Sequence, residues 1–341
     1  MTFASTLVSS DTHRFEFPIR PFRWDDLPII AAIANRQYAA QGSDDHVTET
    51  EIREYYTSPE ITPESDVIVV TDPTDRVIAF AEIEMGYDSH RCWSEIGIEP
   101  AFWGRGIGSH LIQTTEAMLR ARLSSRFGED SAVGLERHCN HNAAPVRAFF
   151  EQHGYRHIRS FYRMMIDLDA VDPTIPVMLP DGFAFRPVTP AQFPMIYAAQ
   201  QEAFRDHWGS ETYPYEEWLH WFVNHANARV DLWRIVWSGD HIAALSTNRV
   251  YSDDQPDLGW VSQLATRRPY RKQGLASALL HESFRAFKTA GFARVGLGVD
   301  ASSLTGAVGV YERAGMHIVR QTDAFAKMLR GDWLPIYDQD D

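Results

Sequence analysis

The 341-residue chain has only two cysteines, Cys92 and Cys139. They fall in separate segments, so a disulfide framework is not expected, and a reducing compartment, by default the cytoplasm, is the natural home. Long apolar runs are missing as well. No stretch of about 18 apolar residues occurs, and residues 1–15 lack a basic region followed by an apolar core, so neither a membrane span nor an export signal is expected. Basic charge is scarce: 32 Lys and Arg stand against 46 Asp and Glu, a formal charge of −14. That balance excludes a general nucleic-acid coat, which needs a basic face to displace phosphate counterions, and suits a cationic small substrate.

With 44% hydrophobic, 12% aromatic and 23% charged residues, the composition is that of a folded soluble protein. The length predicts two domains of about 165 residues, each large enough for a core. A repeat supports that count. Trp103 to Gly108, WGRGIG, and Arg271 to Ala276, RKQGLA, each follow a strand pattern and open an amphipathic helix. Downstream of each, a further strand leads to a helix ended by glycine, AFFEQHGY closing at Tyr155 and GVYERAGM closing at Met316. Small residues at the mouth of a helix present unpaired N–H groups and the positive helix end to an anion, and a diphosphate is the obvious guest. The second copy adds Arg267, Arg268, Arg271 and Lys272, a local inversion of charge that suggests a polyanionic ligand.

Each half starts with a strand and an amphipathic helix, the first near Phe15 and the second at FAFRPVTPAQF, where Arg186-Pro187 echoes Arg20-Pro21. Hairpins are expected around Asp72 to Asp75 and around Ser238-Gly239-Asp240. A segment holding Pro173, Pro176 and Pro180 resists helix and strand alike. The expected layout is an N-terminal domain over 15–168, a linker over 169–181 and a C-terminal domain over 182–341.

This order of elements, with these motifs, resembles the GCN5-related N-acetyltransferase (GNAT) superfamily and is similar to its tandem members in the mycothiol synthase group. The resemblance implies an α+β fold: two tandem GNAT-like domains, each a mixed, mainly antiparallel sheet flanked by helices and splayed beside the motif strand. It implies acetyl-CoA as cosubstrate. The family signature, Arg or Gln, two residues, Gly, one residue, then Gly or Ala, is met by Arg271, Gly274 and Ala276. The first copy has Gly106 and Gly108 but Trp103 in the Arg or Gln position. By this likeness the turn Arg271, Lys272, Gln273, Gly274, Leu275 and Ala276 cradles the pyrophosphate, and Leu264, Ala265 and Thr266 pair with the pantetheine arm. Tyr311 matches the tyrosine that protonates the leaving thiolate, and Phe150 replaces it in the first copy. Ser303 stands where the family often has a CoA-contacting Asn, which the first copy keeps as Asn142.

The resemblance therefore implies N-acetylation of a primary amine on a small molecule by direct attack, with catalysis in the C-terminal domain and the first domain a scaffold or substrate wall. An amine of pKa about 10.4 is neutral only about one part in two thousand at pH 7, so losing its proton costs roughly 4 to 5 kcal/mol and calls for a base near the acceptor. Candidates in QEAFRDHWG are Glu202, Asp206 and His207; a solvated helix face accounts for the same residues, and the base stays open. Arg137, His138, Cys139 and His141 lack the separated ligand pairs of a structural zinc site, so no metal is expected. A dinucleotide-binding fold, which GRGIG suggests, is a rival that the missing third glycine and the hairpins preceding the turn argue against. The rival from another class is a silent acyl-CoA sensor or assembly protein, motivated by Trp103, Phe150 and Ser303. Mycothiol precursor, aminoglycoside, polyamine and amino acid all remain open as acceptors, a homo-oligomer is allowed, and no nucleic-acid or membrane partner is expected.

Overall fold

The computed structural model describes residues 15–87, 90–205, 207–303 and 306–338. The first half opens with a short strand β1 (Ile19–Pro21) and helix α1 (Leu27–Ala40). Leu27, Ile30, Ile33 and Ala34 form the buried stripe of α1, and Gln37 continues it, which is the helical period carried to a polar residue. Helix α2 (Glu49–Tyr56) is started by a capping box in which Thr48 and Glu51 satisfy each other's backbone N–H. A single turn α3 (Pro63–Asp66) leads to the fully buried β2 (Val67–Thr71), and β3 (Val77–Met85) returns beside it. Asp72 Oδ1 accepts from the N–H groups of Thr74 and Arg76 and so closes the hairpin.

Next come β4 (Arg91–Ile98), α4 (Ile107–Arg120), the short α5 (Leu123–Arg126), β5 (Val133–Asn140), α6 (Ala144–Gln152) and β6 (Arg156–Asp167). The second half repeats the plan with β7 (Phe183–Arg186), α7 (Phe193–Phe204), α8 (Tyr215–Trp218), β8 (Arg234–Ser238), β9 (His241–Ser252) and β10 (Gln255–Thr266). It ends with α9 (Leu275–Thr289), β11 (Arg294–Asp300), α10 (Ala307–Arg313) and β12 (His317–Arg330). Among the described residues no helix is long and apolar enough to cross a membrane.

All strands join one 12-stranded sheet in the order β1-β2-β3-β4-β5-β12-β6-β11-β10-β9-β8-β7. The order reads the same from either end once β12 is matched to β6 and β11 to β5, so the halves are related by a pseudo-twofold axis between β12 and β6. Each half gives its last strand to the other. β6 pairs antiparallel with β11 across Asp300↔Phe161 to Arg294↔Asp167, and β12 pairs antiparallel with β5 across Thr322↔Asn140 to Arg330↔Val133. The segments 15–168 and 182–341 therefore share their sheet instead of closing separately. Phe325 of β12 is fully buried in a core with Leu135, Phe150 and Tyr155 of the first half, while Met164 of β6 is buried among Leu280, Phe284 and Leu297 of the second.

Candidate active site

In both halves one parallel strand pair starts and then separates. β4 and β5 match at Arg91↔Gly134, Cys92↔Leu135 and Trp93↔Glu136 and no further. β10 and β11 match at Leu258↔Arg294, Gly259↔Val295 and Trp260↔Gly296 and no further. Past Trp93, β4 keeps its β3 partner up to Ile98, so its other edge opens into a cleft. Gln37 closes part of that edge: its Nε2 donates to the Ile96 carbonyl at 3.0 Å and its Oε1 accepts from the Ile98 N–H at 2.9 Å. The outward N–H of Ile96, just ahead of the two groups Gln37 holds, faces the cleft.

At the cleft's end, α4 begins on Gly106, which sits in the left-handed region at φ 79°. A Cβ there meets nothing within 4 Å, so the space over the helix mouth is open and the constraint is conformational. Gly108, two residues later, is needed for a different reason: a Cβ would lie 2.9 Å from the ring of Phe149.

The opening forms a cavity of about 720 Å³. Its walls come from α1 (Tyr38, Gln41), β4 (Ser94, Glu95, Ile96), the turn (Gly104, Gly106), β5 (His138, Cys139) and α6 (Asn142, Phe149, Phe150). Ser94 and Glu95 also line a second cavity of about 140 Å³, together with Tyr55, Glu82, Glu84, Trp93, Glu136 and His138. The two spaces meet at the point where the strands part.

That smaller space is ringed by carboxyl groups. Glu95 lies opposite Glu82, and Trp93 opposite Glu84, across β3 and β4, so all four side chains share the face covered by α1 and α2. Tyr56 donates to Glu82 at 2.7 Å and Tyr55 to Glu84 at 2.6 Å. Burial pushes Glu82 and Glu84 up to about 7, partly offset by those hydrogen bonds. Burial, then the charge of Glu82, pushes Glu95 up to about 8. The negative charge of Glu95, then burial, holds the Tyr38 phenol well above its ordinary value. Glu136 differs in having a cation, Arg91 Nη1 at 3.1 Å.

Residues 193–316 match the acetyltransferase (GNAT) family, and residues 63–157 match the acetyltransferase (GNAT) domain. Two GNAT acetyltransferase domains lie in tandem along this chain. The fold is similar to a GCN5-related N-acetyltransferase from Sphaerobacter thermophilus, at 26% identity and TM-score 0.78 over 94% of this chain and 98% of that one. It also resembles a tandem GNAT protein from the clavulanic acid biosynthesis pathway, at 13% identity and TM-score 0.68 over 93% and 100%. N-myristoyltransferase from Saccharomyces cerevisiae, solved with bound myristoyl-CoA, superposes at 9% identity and TM-score 0.58 over 92% and 78%. A comparison with curated proteins gave no match. As a GNAT N-acyltransferase the protein uses an acyl-CoA and an acceptor.

The second GNAT domain holds the residues singled out by the signature. Leu264, Ala265 and Thr266 pair with Ser246, Leu245 and Ala244 of β9, past the last β11 partner. Lys272 and Gly274 take positive φ, 61° and 78°, and Leu275 to Ala276 start α9. Leu275 points into a core with Val236 and Leu279, while Lys272, Gln273 and Gly274 are exposed. Arg271 turns back, its Nε donating to the Thr266 carbonyl at 3.1 Å and its Nη2 to the Ala203 carbonyl at 3.3 Å. Ser303 is half-buried, and its carbonyl accepts from the Gly306 N–H ahead of α10. Tyr311 is buried within the second half's core, and its phenol is pushed up to about 12 by that burial.

Of the base candidates, Glu202 on α7 forms an ion pair with Arg267 at 2.6 Å. His207 is exposed with its ring 4.5 Å from that of Phe204, and Asp206 lies outside the described residues. Arg137 and His138 are cavity residues of the first half, Arg137 donating to the Ser94 carbonyl at 3.3 Å. His141 is taken by Asp323 at 2.8 Å.

The corresponding positions of the two halves differ where the acids sit. Counting from the matched pairs Ala79↔Ile98 and Ala244↔Thr266, the second half carries Thr247 for Glu82, Arg249 for Glu84 and Gln263 for Glu95. Thr247 Oγ1 is buried without a hydrogen-bond partner, and Arg249 turns to the Tyr251 carbonyl. Glu82, Glu84 and Glu95 were not anticipated from the sequence. Their alternation with Ile83, Ser94 and Ile96 reads as a solvated strand face, and the signal that uncovers them is the Thr48–Glu51 capping box, which starts the helix carrying Tyr55 and Tyr56 over that face.

The second half also packs against the residues around the first half's carboxylate-ringed space. The indole of Trp221 donates to Glu60 at 3.0 Å, and its ring lies 6.4 Å from Tyr55. Arg91 donates to the Gly209 carbonyl at 2.5 Å. Burial, then the adjacent Glu217, pushes Glu60 up to about 8.

Proposed function

We propose that the first GNAT domain is the catalytic one and that it transfers a short acyl group, acetyl, from acetyl-CoA to a primary amine of a small molecule. The observation that carries this reading is the meeting of the 720 Å³ cleft with the carboxylate-ringed space at Glu95, an arrangement whose acids are Thr247, Arg249 and Gln263 in the second half.

In this reading the pyrophosphate sits over the mouth of α4 at Gly104 to Gly108, where N–H groups and the helix dipole favour an anion. The pantetheine runs along the open edge of β4, and the Ile96 N–H polarises the thioester carbonyl. Glu95, shifted close to neutrality, takes a proton from the ammonium so that the neutral nitrogen attacks. The C–N bond forms, the C–S bond breaks, and the sulfur leaves as a thiolate, which takes up the second proton shed by the acylated nitrogen. Phe150 has no hydroxyl to relay that proton; Tyr38, which lines the same cavity and keeps its own proton overall, is placed to pass it on. A short acyl group is favoured because the space beyond Ser94 is lined by Glu82, Glu84, Glu95 and Glu136, surroundings that reject an alkyl chain.

A second reading places catalysis in the C-terminal domain with Tyr311 as the acid. The positive-φ turn at Lys272 and Gly274 and the parting of β10 from β11 favour it. Acetyl-CoA-dependent CoA release measured for Glu95→Gln and Tyr311→Phe separates the two: loss in the first variant alone supports the first domain, and loss in the second alone supports the other.

A further inference from the structure

Glu82, Glu84 and Glu95 share one face and one cavity, yet among the described residues none of the three forms an ion pair; the cation that does engage an acid there, Arg91, is committed to Glu136. Three clustered, half-buried acids with no ion-pair partner, Glu95 and Glu84 offset only by the more distant charges of Arg137 and Arg126, are costly unless they keep protons or a ligand supplies the charge. Two hold hydrogen bonds from tyrosines that satisfy part of their acceptor capacity. The space the acids ring opens into the 720 Å³ cleft at Glu95 and His138, residues common to both cavities.

The strand geometry sets the spacing of the acids. Glu95 and Glu82 are directly opposed, with Cβ atoms about 5 Å apart, and Glu95 and Glu84 are diagonal, about 7–8 Å apart. Glu82 and Glu84 follow one another at about 7 Å along the same face of β3. Among the described residues no three such groups converge to hold a metal ion. A flexible organic dication whose nitrogens are separated by a few carbons matches these distances. Tyr55 and Trp93 supply flat walls for the methylenes between, and the 140 Å³ volume admits a short linear chain better than a sugar ring.

We propose that the acceptor is a linear diamine or polyamine, with one amino group delivered to Glu95 at the mouth of the cleft and a second, cationic nitrogen held between Glu82 and Glu84. This rests on the reading of the first domain as the amine-acylating site. The second nitrogen fixes the register of the chain, so that the reactive amine alone reaches the thioester. Because Glu82 and Glu84 hold protons near neutrality, the arriving dication displaces them.

The test is calorimetric titration of the full-length protein, without acyl-CoA, with 1,4-diaminobutane and with 1-aminobutane, for the wild type and for Glu84→Gln and Glu82→Gln. Gln retains an acceptor for the tyrosine hydroxyl, and a thermal melt of each variant confirms folding. The expected result is that the diamine binds at least about 30-fold more tightly than the monoamine, as for an ammonium paired with a buried carboxylate. Its enthalpy should depend on the buffer through released protons, and either variant should shrink the preference. Equal binding of the two amines, or a preference that survives both variants, overturns the inference. CoA release is measured separately: diamine binding with no release in the presence of acetyl-CoA counts against the acyltransferase reading alone and leaves the cation site standing.

Discussion

The indole Nε1 of Trp103 donates to the carbonyl of Ile98 at 3.0 Å, and 168 residues on, the Nε of Arg271 makes the same bond to Thr266 at 3.1 Å. The signature position of the turn thus ties the loop back to the end of the motif strand, and a tryptophan serves in place of the guanidinium. The departure at residue 103 leaves the anion-facing backbone intact, with Gly104 and Gly106 at φ 75° and 79°.

It follows that Trp103→Arg restores the signature at little cost. Trp103 is 43% exposed, and a surface exchange that keeps its hydrogen bond should change stability by less than about 1 kcal/mol. Thermal melting and acetyl-CoA titration of the variant should both match the wild type. Loss of acetyl-CoA binding would show that the indole itself touches the ligand.

Glu95→Gln should lower kcat/KM by about 10²–10⁴-fold, the usual contribution of a positioned base, while leaving acetyl-CoA affinity unchanged. For the wild type, kcat/KM should climb with pH up to about 8, where the Glu95 carboxyl loses its proton, and that limb should be lost in the variant. A variant with the wild-type profile would remove Glu95 from the reaction.

The same three acids make stability depend on pH. Their folded values, about 7, 7 and 8, lie above that of an unfolded glutamate, so the native chain holds the extra protons. Stability from this source is therefore fully present below about pH 4.5 and is lost as pH rises through 7 to 8. Glu84 alone should account for on the order of 2–3 kcal/mol between pH 5 and 9. Glu84→Gln should accordingly melt close to the wild type at pH 5 and above it at pH 9; identical melting at both values would contradict the shift.

The exchange of β6 and β12 predicts that neither half folds alone. Residues 15–168 expressed without the remainder would leave Leu135 and Phe150 without Phe325, and the edge of β5 without its partner. Unpaired apolar edges of this length aggregate. Co-expression of 15–168 with 169–341 should restore a soluble heterodimer by size-exclusion chromatography, whereas a monomeric, protease-resistant 15–168 fragment would refute the dependence.

The duplication, both hairpins and both anion-facing turns were legible in the chain because each rests on local rules: glycine at positive φ, alternation along strands, and the apolar stripe Leu27, Ile30, Ile33. What was not legible is non-local. Nothing in RHIRSFYRMMID or HIVRQTDAFAKML says that the strands change places, since either partner strand offers the same pairing edge. The covering of Glu82 and Glu84 depends on α2, whose Tyr55 in turn lies beside Trp221 from the other half of the chain, so strand periodicity alone places these acids in water. Arg271 and Glu202 read as ligand and base by position. Their side chains are engaged with the Thr266 carbonyl and with Arg267, and a one-dimensional motif carries no record of such partners.

The most direct test is acetyl-CoA-dependent CoA release by Gly106→Glu and Gly274→Glu side by side with the wild type, using 1,4-diaminobutane as acceptor. Each substitution forces a side chain onto a left-handed residue at the mouth of one turn and adds a negative charge where a phosphate would sit. Gly106→Glu should abolish release and Gly274→Glu should retain it. Release abolished by Gly274→Glu and retained by Gly106→Glu would contradict the assignment of catalysis to the first domain.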